Sequence, residues 1–267
     1  MSSLHLTEIN IYPIKSARGI SLPSAQLDDS GLELDRRWTV VDEKGHFLTQ
    51  RTLPKMALIN VALREDCLSV TSRGLSELSI PFRRPSSEMM RVQVWEDSLD
   101  AIDVGQDAAS WFTEILGLPC RLVQMPEKPE RFIDSKYAPQ NSPVSFADAF
   151  PLLLISQMSL EDLNARLAVP VPMNRFRPNL VIDGSSAFEE DTWRGLQISS
   201  VFFRVAKPCS RCAVPTVNQD TGEAGKEPIR TLSTYRTRDS KVYFGQNLIH
   251  EGRGILKVGD VTQAITR

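Results

Sequence analysis

"VAKPCSRCAVPTVNQDTGE", residues 205–223, is the stretch on which the reading of this chain turns. It sets Cys209 and Cys212 in a C-x-x-C pair directly after a strand-like run, and no second pair follows. Four readings compete. A tetrahedral zinc site needs four ligands, usually two such pairs or one pair with spaced histidines. Cys67 and Cys120 stand far off and singly, and His5, His46 and His250 show no ligand spacing. A thioredoxin-like dithiol needs its thiolate at a helix N-terminus, but "AVPTVNQDTG" after Cys209-Ser-Arg-Cys212 offers β-branched residues, a proline and a turn. Two structural cysteines are as common as any function. The fourth reading is a single thiolate given to a soft transition metal, with Arg211 alongside favouring thiolate over thiol. Spacing alone leaves all four open.

The rest of the chain bounds the answer. With 267 residues, 41% of them hydrophobic and 24% charged, it can build one large or two modest domains around a normal core. A net charge of -2 gives no electrostatic footprint for nucleic acid. "MSSLHLTEINIYPIK" lacks the basic and apolar regions of a secretory signal. No apolar run approaches the ~20 residues that span a bilayer. Four cysteines make no disulfide framework in a chain of this size, so the expected location is the cytoplasm.

Alternation dominates the first hundred or so positions. "LHLTEINIYPI" alternates at Leu4 and Leu6 and again at Ile9 and Ile11. "RWTVVDEKGHFLTQR" reads as strand, turn, strand, and "CLSVTS", "LSELSIPF" and "MRVQVWED" as further short strands. A helix is expected from Asp107, stopping at Gly117, then the strand "CRLVQM". The Pro-punctuated loop "PEKPERFIDSKYAPQNSP" follows, and its start is the expected boundary between domains at 1–125 and 126–267. "FPLLLIS" is a buried strand; Ser159, with Asp162 three residues on, is expected to cap the helix "SLEDLNARL". "NLVIDG", "LQISSVFFRVA", "KVYFGQNLI" and "GILKVGD" are strands and "IRTLSTYR" a short helix. Trp38, Trp95, Trp111 and Trp193 are expected in the core. The pattern is mostly β (α+β) with a few helices.

In order along the chain, "IYPIKS", "LDRRW", "SFAD", "RFRPNLVIDG", "KPCSRC", "TVNQDTG" and "FGQN" resemble the MOSC family with its N-terminal β-barrel companion domain. Within that family the chain resembles the mitochondrial amidoxime reducing component and bacterial reductases of N-hydroxylated compounds. The resemblance covers essentially the whole chain. It implies an N-terminal β-barrel-like domain packed on a MOSC β-barrel domain, and a molybdenum cofactor bound through molybdopterin. The second cysteine of the motif, Cys212, would be the metal ligand, the remaining sulfurs coming from the cofactor. A lone C-x-x-C then needs no partner pair, and Cys209 falls to structure, with a redox role left open.

By position, Lys15, Ser16, Arg36, Arg177, Asn179, Ser210, Arg211 and Asn247 match the family's cofactor contacts. Any one of these cations alone reads as solvated surface charge; together they suit a phosphate and a polar pterin. Arg37 would face away from Arg36 in a regular strand, and Arg175 is left open. Asp148 of "SFAD" matches an aspartate near the metal, a catalytic proton donor or an organiser, weighed equally against a plain cap. The chain departs from the mitochondrial pattern at Ala149, Phe150 and Asn247, where that branch has threonine, serine and tyrosine. It also has no cysteines for an iron–sulfur domain, so a reductase of this form would draw electrons from a separate flavin, ferredoxin-like or cytochrome donor. The resemblance implies reduction of N-hydroxylated compounds: hydroxylamines, amidoximes or N-hydroxylated nucleobases. A carrier or sulfur-transfer protein for the cofactor would use the same residues and is the alternative.

Overall fold

The structure, a computed structural model, describes residues 4–83, 88–138 and 142–266. Residues 139–141 of the Pro-punctuated loop lie outside them. Strands hold 43% of the chain and helices 16%, so the mostly-β expectation stands.

Seven strands close into a barrel. Their order is Leu152–Ser156, Leu180–Asp183, Leu4–Ile11, Val261–Thr266, Trp193–Ile198, Val201–Ser210 and Lys241–Glu251. The last returns to pair with the first through Leu152–Leu248 and Leu154–Gln246, so the circle has no free edge. Inward-facing Leu6, Ile9, Leu154, Leu180, Ile182, Leu196, Phe203 and Leu248 fill it. The break in alternation at the N-terminus is a bulge: pairing with Leu180–Asp183 shifts register between Leu6 and Glu8. One extra residue at Thr7 turns the phase over, so Leu6 on one side of it and Ile9 and Ile11 on the other all reach the core.

A four-stranded antiparallel sheet, Trp38–Asp42, Cys120–Gln124, Asp97–Asp103 and Met89–Val94, stands beside the barrel. The helix Gln106–Leu116 runs where the spacing predicts, and Gly117 ends it in the left-handed conformation at φ 66°. Two expectations need correction. The return arm of "RWTVVDEKGHFLTQR" is not a regular strand: Leu48 N–H donates to Val40, but Phe47 N–H donates across to Gln93. Nor does Ser159 cap its helix. The strand Leu152–Ser156 runs straight into Gln157–Arg166, with Ser156 at the cap in extended geometry. Ser159 is fully buried one turn on, where its hydroxyl donates to the Glu190 carboxylate at 2.7 Å and accepts from the Phe188 N–H. Asp162 pairs instead with Arg166 on the open face. No helix among the described residues is long and apolar enough to cross a membrane.

Barrel closure depends on Gly245. At φ 83°, a Cβ there would stand 2.7 Å from both the Leu154 carbonyl and Ile155 Cγ1. Gly245→Ala is therefore expected to cost about 2 kcal/mol in urea unfolding; a change within ~0.5 kcal/mol would refute the tight approach of these two strands.

Candidate functional site

The strand Val201–Ser210 ends at the cysteine motif, and the chain leaves it for a turn at Val214–Thr216. Cys212 is thus carried just past a barrel strand, exposed, with a free thiol; Cys209 is half-buried against Phe176 and Phe244. Around the opening stand Lys15, Ser16, Arg36, Asp148, Arg177, Asn179, Ser210, Arg211 and Asn247. Every residue matched by position to a cofactor contact, and Asp148, shares one pocket with Cys212.

The cations are not solvated surface charges. Lys15 and Arg177 are 6% and 9% exposed. Lys15 Nζ donates to the Phe146 carbonyl at 2.7 Å and to Asp148 at 2.5 Å. Arg36 pairs with buried Asp35 and donates to the Asn179 side-chain oxygen at 3.1 Å. Arg177 donates to the Ala17 carbonyl at 2.7 Å, and the guanidinium groups of Arg177 and Arg36 lie 4.2 and 4.7 Å from the centre of the Tyr12 ring. Ser16, Arg36 and Arg177 all hold positive φ, 68°, 52° and 57°. Such backbone is strained for residues with a Cβ, and it gathers where function over-determines the chain.

Arg211 corrects one expectation. Its guanidinium does not turn to Cys212 but donates to Cys209 Sγ at 3.2 Å and to the Phe176 carbonyl at 2.7 Å. The cation that shares the pocket with Cys212 and feels its sulfur's charge is Arg51, which donates to Asp148 Oδ2 at 2.9 Å. Nothing in "FLTQR" marks Arg51; its place follows from where the chain goes after Leu48 leaves the sheet. Arg37 faces away, as expected, bound to Asp28 at 2.6 Å. Arg175 is spent on the Pro215 and Glu227 carbonyls, outside the pocket.

Asp148 is not a cap. Its Oδ1 accepts from Lys15 and from Trp95 Nε1 at 3.3 Å, and its Oδ2 from Arg51 at 2.9 Å. Its side chain is 54% exposed, and Lys15 and Arg51 beside it hold the carboxyl far below the usual range. A carboxylate so held organises donors and does not itself give up a proton near neutral pH. Its backbone is gripped by Arg131, 3% exposed, which donates to the Ser145 and Asp148 carbonyls at 2.6 and 2.8 Å. Trp95 is the second correction: unlike Trp38, Trp111 and Trp193, it is 42% exposed, and its indole N–H reaches Asp148.

A molybdopterin brings a phosphate, polar ring nitrogens and carbonyls, and two sulfurs for the metal. The donors suit it. Five cations, Lys15, Arg36, Arg51, Arg177 and Arg211, line the pocket with one carboxylate, Asp148. Arg177 Nη2 and Arg211 Nε are buried without a hydrogen-bond partner, which a polar anionic ligand would supply. Among the described residues no three His, Cys, Asp or Glu side chains gather to hold a metal ion unaided. A metal at Cys212 needs ligands from outside the chain.

Fold and site together define a β-barrel protein with a cation-lined pocket that holds an exposed cysteine, Cys212. Residues 3–119 match the MOSC N-terminal beta barrel domain, and residues 141–263 match the MOSC domain. Mitochondrial amidoxime reducing component 2 of Bos taurus is 37% identical over 273 residues, covering 96% of this chain and 81% of that protein. Mitochondrial amidoxime-reducing component 1 of Homo sapiens is 34% identical, again over 96% of this chain. The molybdenum cofactor sulfurase of Oryza sativa subsp. japonica is 34% identical over 94% of this chain but only 33% of its own length. The chain belongs to the MOSC family, in the two-part form shared with the amidoxime reducing components.

Burial pushes the Lys15 amine down to about 8, with Asp148 opposing the shift. Between there and the ordinary 10.5 the unfolded chain keeps a proton that the folded one has released. Stability of the cofactor-free protein should therefore rise with pH across that window, and Lys15→Met should remove the rise. Parallel unfolding free energies for the two proteins from pH 8 to 10 would contradict this placement of the amine.

Proposed function

We propose that this protein is a molybdenum-cofactor-dependent reductase of N-hydroxylated compounds, supplied with electrons by a separate donor protein. The observation that carries the reading is the exposed Cys212 thiol in a pocket whose cations keep unpartnered buried N–H groups. Its similarity to proteins named for amidoxime reduction supports the substrate class.

When bound, the cofactor supplies two-electron chemistry at the metal. The chain supplies the rest. Cys212 Sγ would hold the metal, Arg177 and Arg211 would meet the phosphate and pterin with their free N–H groups, and Lys15 and Arg36 would add positive field. Asn179 is already committed, accepting from Arg36 and the Leu153 N–H and donating to the Asn10 carbonyl; it steadies the wall. Converting an N–OH to N–H and water takes two electrons and two protons. Lys15 Nζ is the pocket group that holds a proton at neutral pH and releases it near by, and Asp148 fixes its position.

The second reading, a carrier or sulfur-transfer protein for the cofactor, has the resemblance to the sulfurase behind it. Both readings need Cys212. Expressed in a host that makes the cofactor, the wild type should carry close to one molybdenum per chain by elemental mass spectrometry, and Cys212→Ser should carry less than about a tenth of that. Loaded wild type should then turn over benzamidoxime with a chemical electron donor. Metal without turnover favours the carrier; no metal in the wild type, from a host that loads another molybdoenzyme, rejects both.

A further inference from the structure

The strands Met89–Val94 and Asp97–Asp103 pair Val94 with Asp97, leaving Trp95 and Glu96 as a two-residue turn. Such turns call for positive φ, which favours glycine, asparagine or aspartate. Here a tryptophan holds φ 57°. Nor is the ring spent on a core, since 42% of the residue is open to solvent. A large apolar side chain thus occupies a strained backbone position at the surface, against two preferences at once. Its contacts all lie toward the site. Nε1–H donates to Asp148, the Arg51 guanidinium lies 4.7 Å from the ring centre, and the Phe47 ring packs at 5.1 Å, tilted by 59°. Arg51 in turn lines the pocket together with Cys212. A flat aromatic and a flat cation therefore stand together beside the pocket that Arg51 lines with Cys212.

We infer that Trp95 and Arg51 form a platform that selects planar, conjugated N-hydroxylated substrates, such as aromatic amidoximes, over small saturated ones. The inference rests on the reductase reading above. An aryl amidoxime is flat through its ring and its N–C–N group, so it stacks on such a surface by dispersion and by the attraction of a guanidinium for a π-face. Hydroxylamine has no face to stack. Trp95 then sets specificity by positioning the substrate and takes no part in the reduction. The strain of the turn is retained because glycine, the residue the backbone prefers, would leave no platform.

The test compares kcat/KM for benzamidoxime and for hydroxylamine in the loaded wild type, Trp95→Gly and Trp95→Phe. Glycine suits the backbone of the turn, so folding is not at issue. The benzamidoxime-to-hydroxylamine ratio should fall about tenfold in Trp95→Gly, mainly through KM for benzamidoxime. Trp95→Phe keeps a ring without the N–H and should restore the ratio to within about threefold. An unchanged ratio in Trp95→Gly overturns the platform. So does an equal fall in Trp95→Phe, which would assign the residue to its bond with Asp148. If the wild type reduces neither substrate, the reductase reading fails by itself. Calorimetric titration with benzamidoxime then decides the platform separately: weaker binding in Trp95→Gly than in wild type upholds it, and equal binding rejects it.

Discussion

Crowding Lys15, Arg36, Arg51, Arg177 and Arg211 around one opening is the constraint on which the rest of this structure depends. Like charges at such range repel, and burial strips the water that would screen them. The fold answers with a small set of counterweights. Asp35 and Asp148 take one or two cations each, the Tyr12 ring lies against two guanidinium groups, and the carbonyls of Ala17, Phe146 and Phe176 accept from Arg177, Lys15 and Arg211. The balance is incomplete, because two buried N–H groups stay without a partner. The anion site proposed above needs that deficit. A pocket whose donors were all satisfied internally would have nothing left to offer a phosphate.

Backbone strain has the same logic. Ser16, Arg36 and Arg177 each sit in left-handed backbone that costs on the order of 1 kcal/mol. They are held there by neighbours in other parts of the chain: Gln50 donates to the Ser16 carbonyl, Phe146 N–H to the Arg36 carbonyl, and Arg36 itself to the Arg177 carbonyl. Local sequence would relax these residues; tertiary hydrogen bonds keep them bent. The site is thereby made rigid before any ligand arrives, and binding need not supply the ordering.

What could be read from sequence follows this division. The barrel strands were legible because alternation reports a half-buried strand directly, and even the slip between Leu6 and Ile9 was visible before its cause, the Thr7 bulge. The pocket residues were legible as short motifs, although only the fold gathers Lys15, Asp148 and Arg177. Ser159 was misread because a serine before an apolar run looks like a cap whether its hydroxyl meets the helix end or a buried Glu190. Arg51 and Arg131 were invisible, since each acts on a segment some hundred or a dozen residues away through contacts no local pattern encodes. Trp95 left a clue: a tryptophan between "RVQV" and "EDSLD" stands where a two-residue turn asks for glycine. Reading the aromatic as core overlooked the turn.

The barrel pairs its first strand with its last, His5 facing Val261. Residues more than two hundred and fifty positions apart must meet before the circle closes, so its contact order is high and its assembly slow. During synthesis Lys15, Ser16 and Arg36 emerge long before Arg177, Cys212 and Asn247, which complete their pocket. Any ligand of the pocket must therefore wait until synthesis has passed Asn247, with the open barrel's edge strands as the hazard in between.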